Sequence, residues 1–242
     1  MTFSSATISR TGGRAENQDS YGDKTGSDSG IWVVADGLGG HRGGEIASHV
    51  AVTAILDVWR PDAPLTSATM ASLVDAAQAA ILEQQQTQPH LSSMRTTVVL
   101  LLAQGNEAVW AHVGDTRLYL FRECVVTVQT LDHSVPQAMV AAGEITREQI
   151  RSHADRNRLL RAVGNPDEVK PTILATPQRI KPGDAFLLCT DGFWEYVTEL
   201  EMAADLAAAR TPQAWLDRME MRLVLKAKAD NDNYTALALF IE

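Results

Sequence analysis

The chain has 242 residues, of which 45% are hydrophobic and 21% are charged. This ordinary globular composition excludes a disordered or collagen-like chain and is compatible with one large domain or two small ones. Acidic residues outnumber basic ones by 30 to 21, a net charge of -9, and there is no Lys/Arg-rich run, so we expect neither nucleic acid nor an anionic membrane as a partner.

The first predicted elements are one strand and two helices. The run IWVVADG at 31–37 is short, apolar and closed by Asp-Gly, which is typical of a buried strand. Apolar residues then recur at helical spacing within 38–59 and predict an amphipathic helix. A second helix is predicted from about Ser67 to Gln86.

From Thr96 the spacing of apolar residues changes. The runs TTVVLLLA, AVWAHVG, RLYLF and CVVTVQTL are separated by the turn sequences QGN, GDT and RE, and together they predict an antiparallel meander. Residues 134–165 are mixed and polar. The segments TILATP, AFLLCTDG and YTALALFI predict further strands, with two helical pieces within 198–227. No linker divides the chain, so we predict one α+β domain over 1–242, with helices covering apolar sheets.

Cysteine use and the N-terminal segment bear on location. Only Cys124 and Cys189 occur, each in an apolar run, so neither a disulfide framework nor a cysteine zinc site is supported. The first 30 residues contain no signal-peptide stretch, and no run of about 18 apolar residues occurs anywhere. We expect a cytoplasmic monomer with no membrane partner.

Several aspartates stand at the ends of predicted strands. Carboxylates that converge there repel one another unless a cation neutralises them. All-oxygen sites suit Mg²⁺ and Mn²⁺, and Gly37 leaves a backbone carbonyl that an ion can approach. The pattern therefore predicts a site for hard divalent ions. The candidate aspartates are Asp19, Asp36, Asp115, Asp191 and Asp232.

Each of these residues also has a simpler explanation on its own. Asp-Gly is a common turn dipeptide, and Gly114-Asp115 between two strands is typical of a hairpin turn. We favour Asp132 and Ser134 as caps of a short following helix over a catalytic role. Arg14 is either a solvated loop residue or a bidentate donor to a phosphate. The joint placement of the aspartates, rather than any one of them, carries the prediction.

Other reaction schemes find little support. A cysteine phosphatase needs Arg six positions after Cys, where this chain has Thr130 and Glu195. There is no Gly-Lys-Ser/Thr loop for a nucleotide. The six histidines lack His-Glu-x-x-His spacing, which disfavours a zinc enzyme.

Eight segments, in order along almost the whole chain, resemble the pattern of one family. They are RAENQDS, VADGLGGHRGGEIAS, TTVVLLL, AHVGDTRLYLFR, LDHS, NRLLRAVGNP, LLCTDGFWEYV and DNYTALAL. The sequence resembles the metal-dependent serine/threonine protein phosphatases of type 2C, the PPM family, in its compact bacterial form. This resemblance implies a four-layer α/β/β/α sandwich with two mainly antiparallel sheets flanked by helices.

The resemblance also implies a centre of two Mn²⁺ or Mg²⁺ ions at one end of the sheets. In that centre Asp36 would bridge both ions, and the carbonyl of Gly37 would complete one of them. Asp191 and Asp232 would hold the other, while Asp19 would support bound waters or a ligand position. The ions would activate a water for attack on phosphorus.

Further roles follow from the same resemblance. Arg14 would bind the substrate phosphate, and Asp115 would share a third, weaker ion with Asp191. Residues 134–156 would form a flap beside the cleft. Leu38 stands where animal members carry a His proposed as the acid for the leaving alkoxide, and His41 is its nearest substitute.

The C-terminal motif leaves two candidates for one metal ligand. The usual glycines are missing from AKADNDNYT, so Asp230 is an alternative to Asp232. We prefer Asp232, because Asn233-Tyr234-Thr235 follows it as the family's Asn-x-Thr does.

The leading hypothesis is a Mn/Mg-dependent phosphatase that acts on phosphoserine and phosphothreonine in proteins and opposes a bacterial serine/threonine kinase. One alternative is a catalytically inactive relative that binds phosphoproteins, although such a protein has no reason to keep a costly carboxylate cluster. The other alternative is a metal-dependent hydrolase of another phosphoester.

Overall fold

The computed structural model describes residues 1–38, 43–167 and 169–242. The described residues form twelve strands and six α-helices. The strands are β1 (Phe3–Arg10), β2 (Asp19–Thr25), β3 (Ser29–Leu38), β4 (Arg95–Thr96), β5 (Val98–Gln104), β6 (Glu107–Val113), β7 (Arg117–Arg122), β8 (Val125–Gln129), β9 (Thr172–Ile173), β10 (Gln178–Arg179), β11 (Ala185–Cys189) and β12 (Tyr234–Ile241). The helices are α1 (Gly43–Val58), α2 (Ser67–Thr87), α3 (Val135–Ala141), α4 (Asp191–Trp194), α5 (Glu199–Ala207) and α6 (Pro212–Lys226).

The strands form two antiparallel sheets. One has five strands in the order β1-β12-β11-β7-β8. The other has the order β10-β6-β5-β3-β2, with β4 paired to β3 and β9 paired to β6. The chain termini meet in the first sheet, because Phe3 of β1 pairs with Ile241 of β12.

Alternating side chains of the buried strands divide the interior into three apolar layers. In β3, Ile31, Val33 and Ala35 pack against α1 and α2, whereas Trp32 and Val34 face the other sheet. On the far side, α5 and α6 cover the five-stranded sheet through residues such as Trp215. The helices therefore flank two packed sheets, which confirms the predicted α/β/β/α sandwich.

The predicted meander is wrong in one respect. β5 pairs with β6 in one sheet, but β7 pairs with β8 in the other, so the segment between β6 and β7 crosses from sheet to sheet. The hairpin turn predicted at Gly114-Asp115 is therefore wrong as well. Gly114 has φ of +99°, and a Cβ there would lie 2.4 Å from Thr97, so only glycine fits this crossing.

Some element boundaries also differ from the predictions. Asp36 and Gly37 lie inside β3 rather than after it. Asp191 begins the short helix α4 directly after β11. Of the predicted strand TILATP, only Thr172 and Ile173 belong to β9, and Leu174 adds one backbone hydrogen bond of 3.0 Å to the Trp110 carbonyl of β6.

The region that links β8 to β9 carries a short helix and a 3₁₀ turn. Ser134 caps α3, since its side chain accepts a hydrogen bond from the Gln137 N–H, and this confirms its predicted role. Asp132 does not cap the helix and instead accepts two hydrogen bonds from Arg117, at 2.8 and 2.7 Å. The flap at 134–156 and the single-domain organisation remain predictions. In the described residues, no helix is both long enough and apolar enough to cross a membrane.

Candidate metal centre

A polar cavity of about 240 Å³ lies at one end of the two sheets. Segments that are distant in the sequence meet there, because β3, the β6–β7 crossing, α4 and the start of β12 all reach this end. The cavity is lined by Arg14, Gln18, Asp36, Gly37, Leu38, Asp115, Asn157, Leu159, Asp191, Asp232 and Asn233.

Asp36 is held in place through its backbone. Its carbonyl oxygen accepts hydrogen bonds from Thr96 Oγ1 at 2.7 Å and from the Thr97 N–H at 2.8 Å. Burial raises the pKa of Asp36 well above its usual range, and the charges of Asp191 and Asp19 raise it further. A charged Asp36 is therefore unfavourable in this site unless a cation compensates it.

Asp19 faces Asp36 across the β2–β3 ladder. Its Oδ2 accepts a hydrogen bond from Thr190 Oγ1 at 3.0 Å. Within the described part of the chain, its buried Oδ1 has no hydrogen-bond partner. Burial raises the pKa of Asp19 to about 7, with a further contribution from the charge of Asp232.

Asp191 and Asp115 also line the cavity. Burial raises the pKa of Asp191 well above its usual range, and Asp115 is the largest charged contributor. Burial likewise raises the pKa of Asp115 to about 7, which the nearby Asp132 reinforces and Arg117 opposes. The Asp115 Oδ1 atom is buried and has no hydrogen-bond partner among the described residues.

Asp232 is more exposed and is paired within the protein. Its Oδ2 accepts a hydrogen bond from Arg14 Nη2 at 2.9 Å, and its Oδ1 accepts one from the Asn233 N–H at the same distance. Both partners of the Arg14 ion pair are largely solvent-accessible, with side chains 55% and 40% exposed. Such a pair contributes only about 0–1 kcal/mol, so it can exchange for other ligands.

The loop that carries Arg14 is fixed by Asn233. The side-chain amide of Asn233 donates to the carbonyls of Thr11 and Glu16 and accepts from the Gln18 N–H, all within 2.9 Å. Direct backbone contact fixes the loop further, because a Cβ on Gly12 would lie 2.2 Å from the Asp232 carbonyl oxygen. Arg14 and Asp232 are thus held side by side at the cavity mouth.

The donor set fits hard divalent cations. Several buried carboxylates repel one another, and two of their oxygens have no hydrogen-bond partner among the described residues. A cation would supply the missing compensation. Across residues 1–38, 43–167 and 169–242, no group of three Asp, Glu, His or Cys side chains is arranged so that it could hold a metal ion. One reason is that Asp232 and Asp19 are turned toward Arg14 and Thr190.

The structure places the remaining predicted residues as follows. Gly37 and Leu38 line the cavity, and a Cβ on Gly37 would lie 2.1 Å from the Gly44 carbonyl oxygen, so this close approach requires glycine. Asp230 lines only a neighbouring cavity of about 150 Å³, whereas Asp232 lines both. His41 lies outside the described residues.

Sequence reasoning gave no role to Gln18, Asn157 or Leu159, although all three line the cavity. Asn157 falls within NRLLRAVGNP, which carried the family resemblance without a residue being singled out. Asn233 was used only to choose between two aspartates. No signal in its local sequence indicated that it holds the Arg14 loop, because its partners lie more than 200 positions away.

Comparison with known proteins identifies the family. The model of the family described as Protein phosphatase 2C matches residues 9–230. A serine/threonine phosphatase, stp, from Listeria monocytogenes serotype 4b is 33% identical over 205 residues, covering 83% of this chain and 77% of that protein.

Solved structures agree with this match. The serine/threonine phosphatase PstP/Ppp of Mycobacterium tuberculosis has a TM-score of 0.86 and 32% identity, with each chain fully covered. A structure of the PstP catalytic domain in complex with two manganese ions has a TM-score of 0.82 and 30% identity, covering 98% of this chain and 97% of that one. The chain belongs to the protein phosphatase 2C family of serine/threonine phosphatases.

Proposed function

We propose that this protein hydrolyses phosphoserine and phosphothreonine in proteins in a reaction that requires two Mn²⁺ or Mg²⁺ ions. The observation that carries this proposal is the convergence of Asp36, Asp115, Asp191 and Asp232 on one polar cavity. The PstP structure with two manganese ions, at 30% identity, supports Mn²⁺ as the ion.

The proposed ligands come from three parts of the fold. Asp36 and the Gly37 carbonyl, together with Asp191 and Asp232, would hold the ions. Asp19 supports bound waters or a ligand position from the adjacent strand. When bound, the ions supply an activated water and offset the negative charge on the phosphoryl group.

Arg14 is proposed to bind the substrate phosphate. Its planar guanidinium can donate two hydrogen bonds to a phosphate, and its present partner Asp232 is a proposed metal ligand. When metal ions and the substrate phosphate bind, Asp232 would therefore exchange Arg14 for a metal ion, and Arg14 would exchange Asp232 for the phosphate. Arg14 orients the phosphate over the carboxylates, while His41 is the proposed donor of a proton to the leaving alkoxide on the basis of sequence alone.

Two finer proposals concern the third ion and the substrate's origin. Asp115 and Asp191 are proposed to share a third, weaker ion, since Asp115 is the main charged contributor to the raised pKa of Asp191. The substrates are proposed to be targets of a serine/threonine protein kinase, which must attach the phosphate that this enzyme removes.

Hydrolysis assays separate the proposed function from its alternatives. Protein stripped with chelator is assayed on a chromogenic aryl phosphate, with and without added Mn²⁺, and then on a phosphothreonine peptide and a nucleotide. We expect Mn²⁺-dependent hydrolysis with preference for the peptide. Preference for the nucleotide supports a hydrolase of another phosphoester. Peptide binding without any hydrolysis supports an inactive phosphoprotein-binding relative.

A further inference from the structure

Trp194 connects the two segments that carry Asp115 and Asp191. Trp194 is the last residue of the four-residue helix α4, which begins with Asp191. Its indole Nε1 donates a buried hydrogen bond of 2.9 Å to the backbone carbonyl of Asp115. This side chain therefore joins the two carboxylate-bearing segments, since Trp194 and Asp115 lie 79 positions apart in the sequence.

The indole is itself held by a buried cation. The Arg117 guanidinium carbon lies 3.5 Å from the centroid of the Trp194 ring, a close cation–π contact. Arg117 cannot move away easily, because its two-pronged pair with Asp132 is almost fully buried. The ring plane and its N–H direction are thus set by an arginine two residues after Asp115.

A second arginine approaches the same ring from the region that links β8 to β9. The Arg151 guanidinium carbon lies 5.7 Å from the ring centroid. Arg151 Nη2 pairs with Glu199 Oε1 at 2.7 Å, and the same oxygen lies 3.9 Å from Arg117 Nη1. Glu199 therefore compensates both cations beside the ring.

We propose that Trp194 is a positioning residue for the reaction. Held by Arg117 and Arg151, it fixes the Asp115 backbone against the helix that begins with Asp191, and so sets the separation of their carboxylates and the affinity of the centre for divalent cations. This inference rests on the proposed function, because it assumes that these two aspartates bind cations.

The test replaces Trp194 by Phe, which keeps an aromatic ring beside Arg117 and removes the N–H donor. The matched control is Trp215→Phe, since Trp215 is also buried and its Nε1 donates to the Met202 carbonyl of α5 at 2.9 Å. Trp215 does not line the carboxylate cavity. Substituting Arg117 instead would leave Asp132 buried and unpaired, which would confuse positioning with folding.

Two readouts are needed. The first is the Mn²⁺ concentration that gives half of the maximal rise in melting temperature, measured without substrate. The second is kcat and KM for a phosphothreonine peptide. We expect both variants to lose similar thermal stability without metal, whereas only Trp194→Phe raises the Mn²⁺ midpoint, by about tenfold, and lowers kcat more than it raises KM. Equal Mn²⁺ midpoints in the two variants would overturn the inference.

If Trp194→Phe does not melt cooperatively, Arg151→Gln carries the test. The Arg151 side chain is partly exposed, at 17%, and its replacement leaves the indole N–H intact. It should raise the Mn²⁺ midpoint by about threefold, and an unchanged midpoint overturns the inference. Failure of the proposed function is recognised separately. In that case the unmodified protein shows no Mn²⁺-dependent hydrolysis at all.

Discussion

Arg14 Nη2 donates a hydrogen bond to Asp232 Oδ2 at 2.9 Å, which joins residues 218 positions apart at the mouth of the carboxylate cavity. Arg14 is the residue proposed to bind the substrate phosphate, and Asp232 is a proposed metal ligand. The hydrogen bond thereby holds each side chain beside the cavity. Because the pair is exposed to solvent, exchanging it for phosphate and cation costs little.

Arg14→Ala should chiefly weaken substrate binding, because its contact with phosphate exists in the ground state as well as in the transition state. We expect KM for a phosphothreonine peptide to rise by about tenfold or more, with a smaller fall in kcat. Steady-state kinetics with saturating Mn²⁺ measure both. The matched control is Arg10→Ala, which removes another exposed arginine paired with a carboxylate, Glu220. A KM equal to that of the control would show that Arg14 is a solvated loop residue that does not bind the phosphate.

Asp36→Asn should abolish turnover while leaving the metal-free fold at least as stable. Both proposed ions lose a ligand, so kcat should fall by at least about a hundredfold. Without metal, the substitution removes a buried carboxylate that its neighbours repel, so the melting temperature should stay level or rise. Asp75→Asn, on the exposed face of α2, serves as the control. Activity within tenfold of the unmodified protein contradicts the assignment.

The two C-terminal candidates can be separated by parallel substitutions. Asp232→Asn should cause a large loss of activity, because Asp232 lines the cavity together with Asp36 and Asp191. Asp230→Asn should have little effect, because Asp230 lines only the neighbouring cavity. Rates for both variants, measured over a range of Mn²⁺, decide the matter. A damaging Asp230→Asn beside a silent Asp232→Asn would show that the register assigned to this motif is wrong.

The metal-free protein should lose stability as the pH rises. Burial raises the pKa of Asp19 and Asp115 from 3.8 to about 7, so between these values the folded state binds more protons than the unfolded chain. Their stabilising contribution is complete below about pH 4 and is lost as the pH rises through about 7. Thermal melts in chelator should therefore show a falling melting temperature between about pH 5.5 and 8.

Two comparisons check the origin of that pH dependence. Asp115→Asn should make it less steep, because one of the carboxyl groups with a raised pKa is removed. Added Mn²⁺ should raise the melting temperature more at about pH 8 than at about pH 5.5, because cations bind the deprotonated carboxylates. If Mn²⁺ raised the melting temperature equally at both pH values, the aspartates would have ordinary pKa values.

The parts of the fold that could be predicted are those whose stability comes from their own side chains. β3 and α1 carry apolar residues at strand and helix spacing, and both form close to the expected place. β1 and β2 gave no such signal, because FSSATISR and DSYGDKT are mostly polar. Both lie at sheet edges and are stabilised by pairing with β12 and β3.

The same distinction applies to the site. Asp36 and Asp191 could be predicted because each lies beside the end of a recognisable apolar strand. Asp36 is near the end of β3, and Asp191 follows β11. The contacts of Asn233 with the Arg14 loop, and of Trp194 with Asp115, could not be predicted. They join segments that only the completed sheets bring together, and no local pattern encodes them.

Binding of divalent cations by the carboxylate cavity can be measured by titration calorimetry of Mn²⁺ into the chelator-stripped protein. We expect at least two Mn²⁺ ions to bind per chain, and we expect Asp36→Asn to abolish or greatly weaken this binding while Asp75→Asn preserves it. No measurable binding by the unmodified protein, or equal binding by Asp36→Asn, would show that the cavity is not a catalytic metal centre.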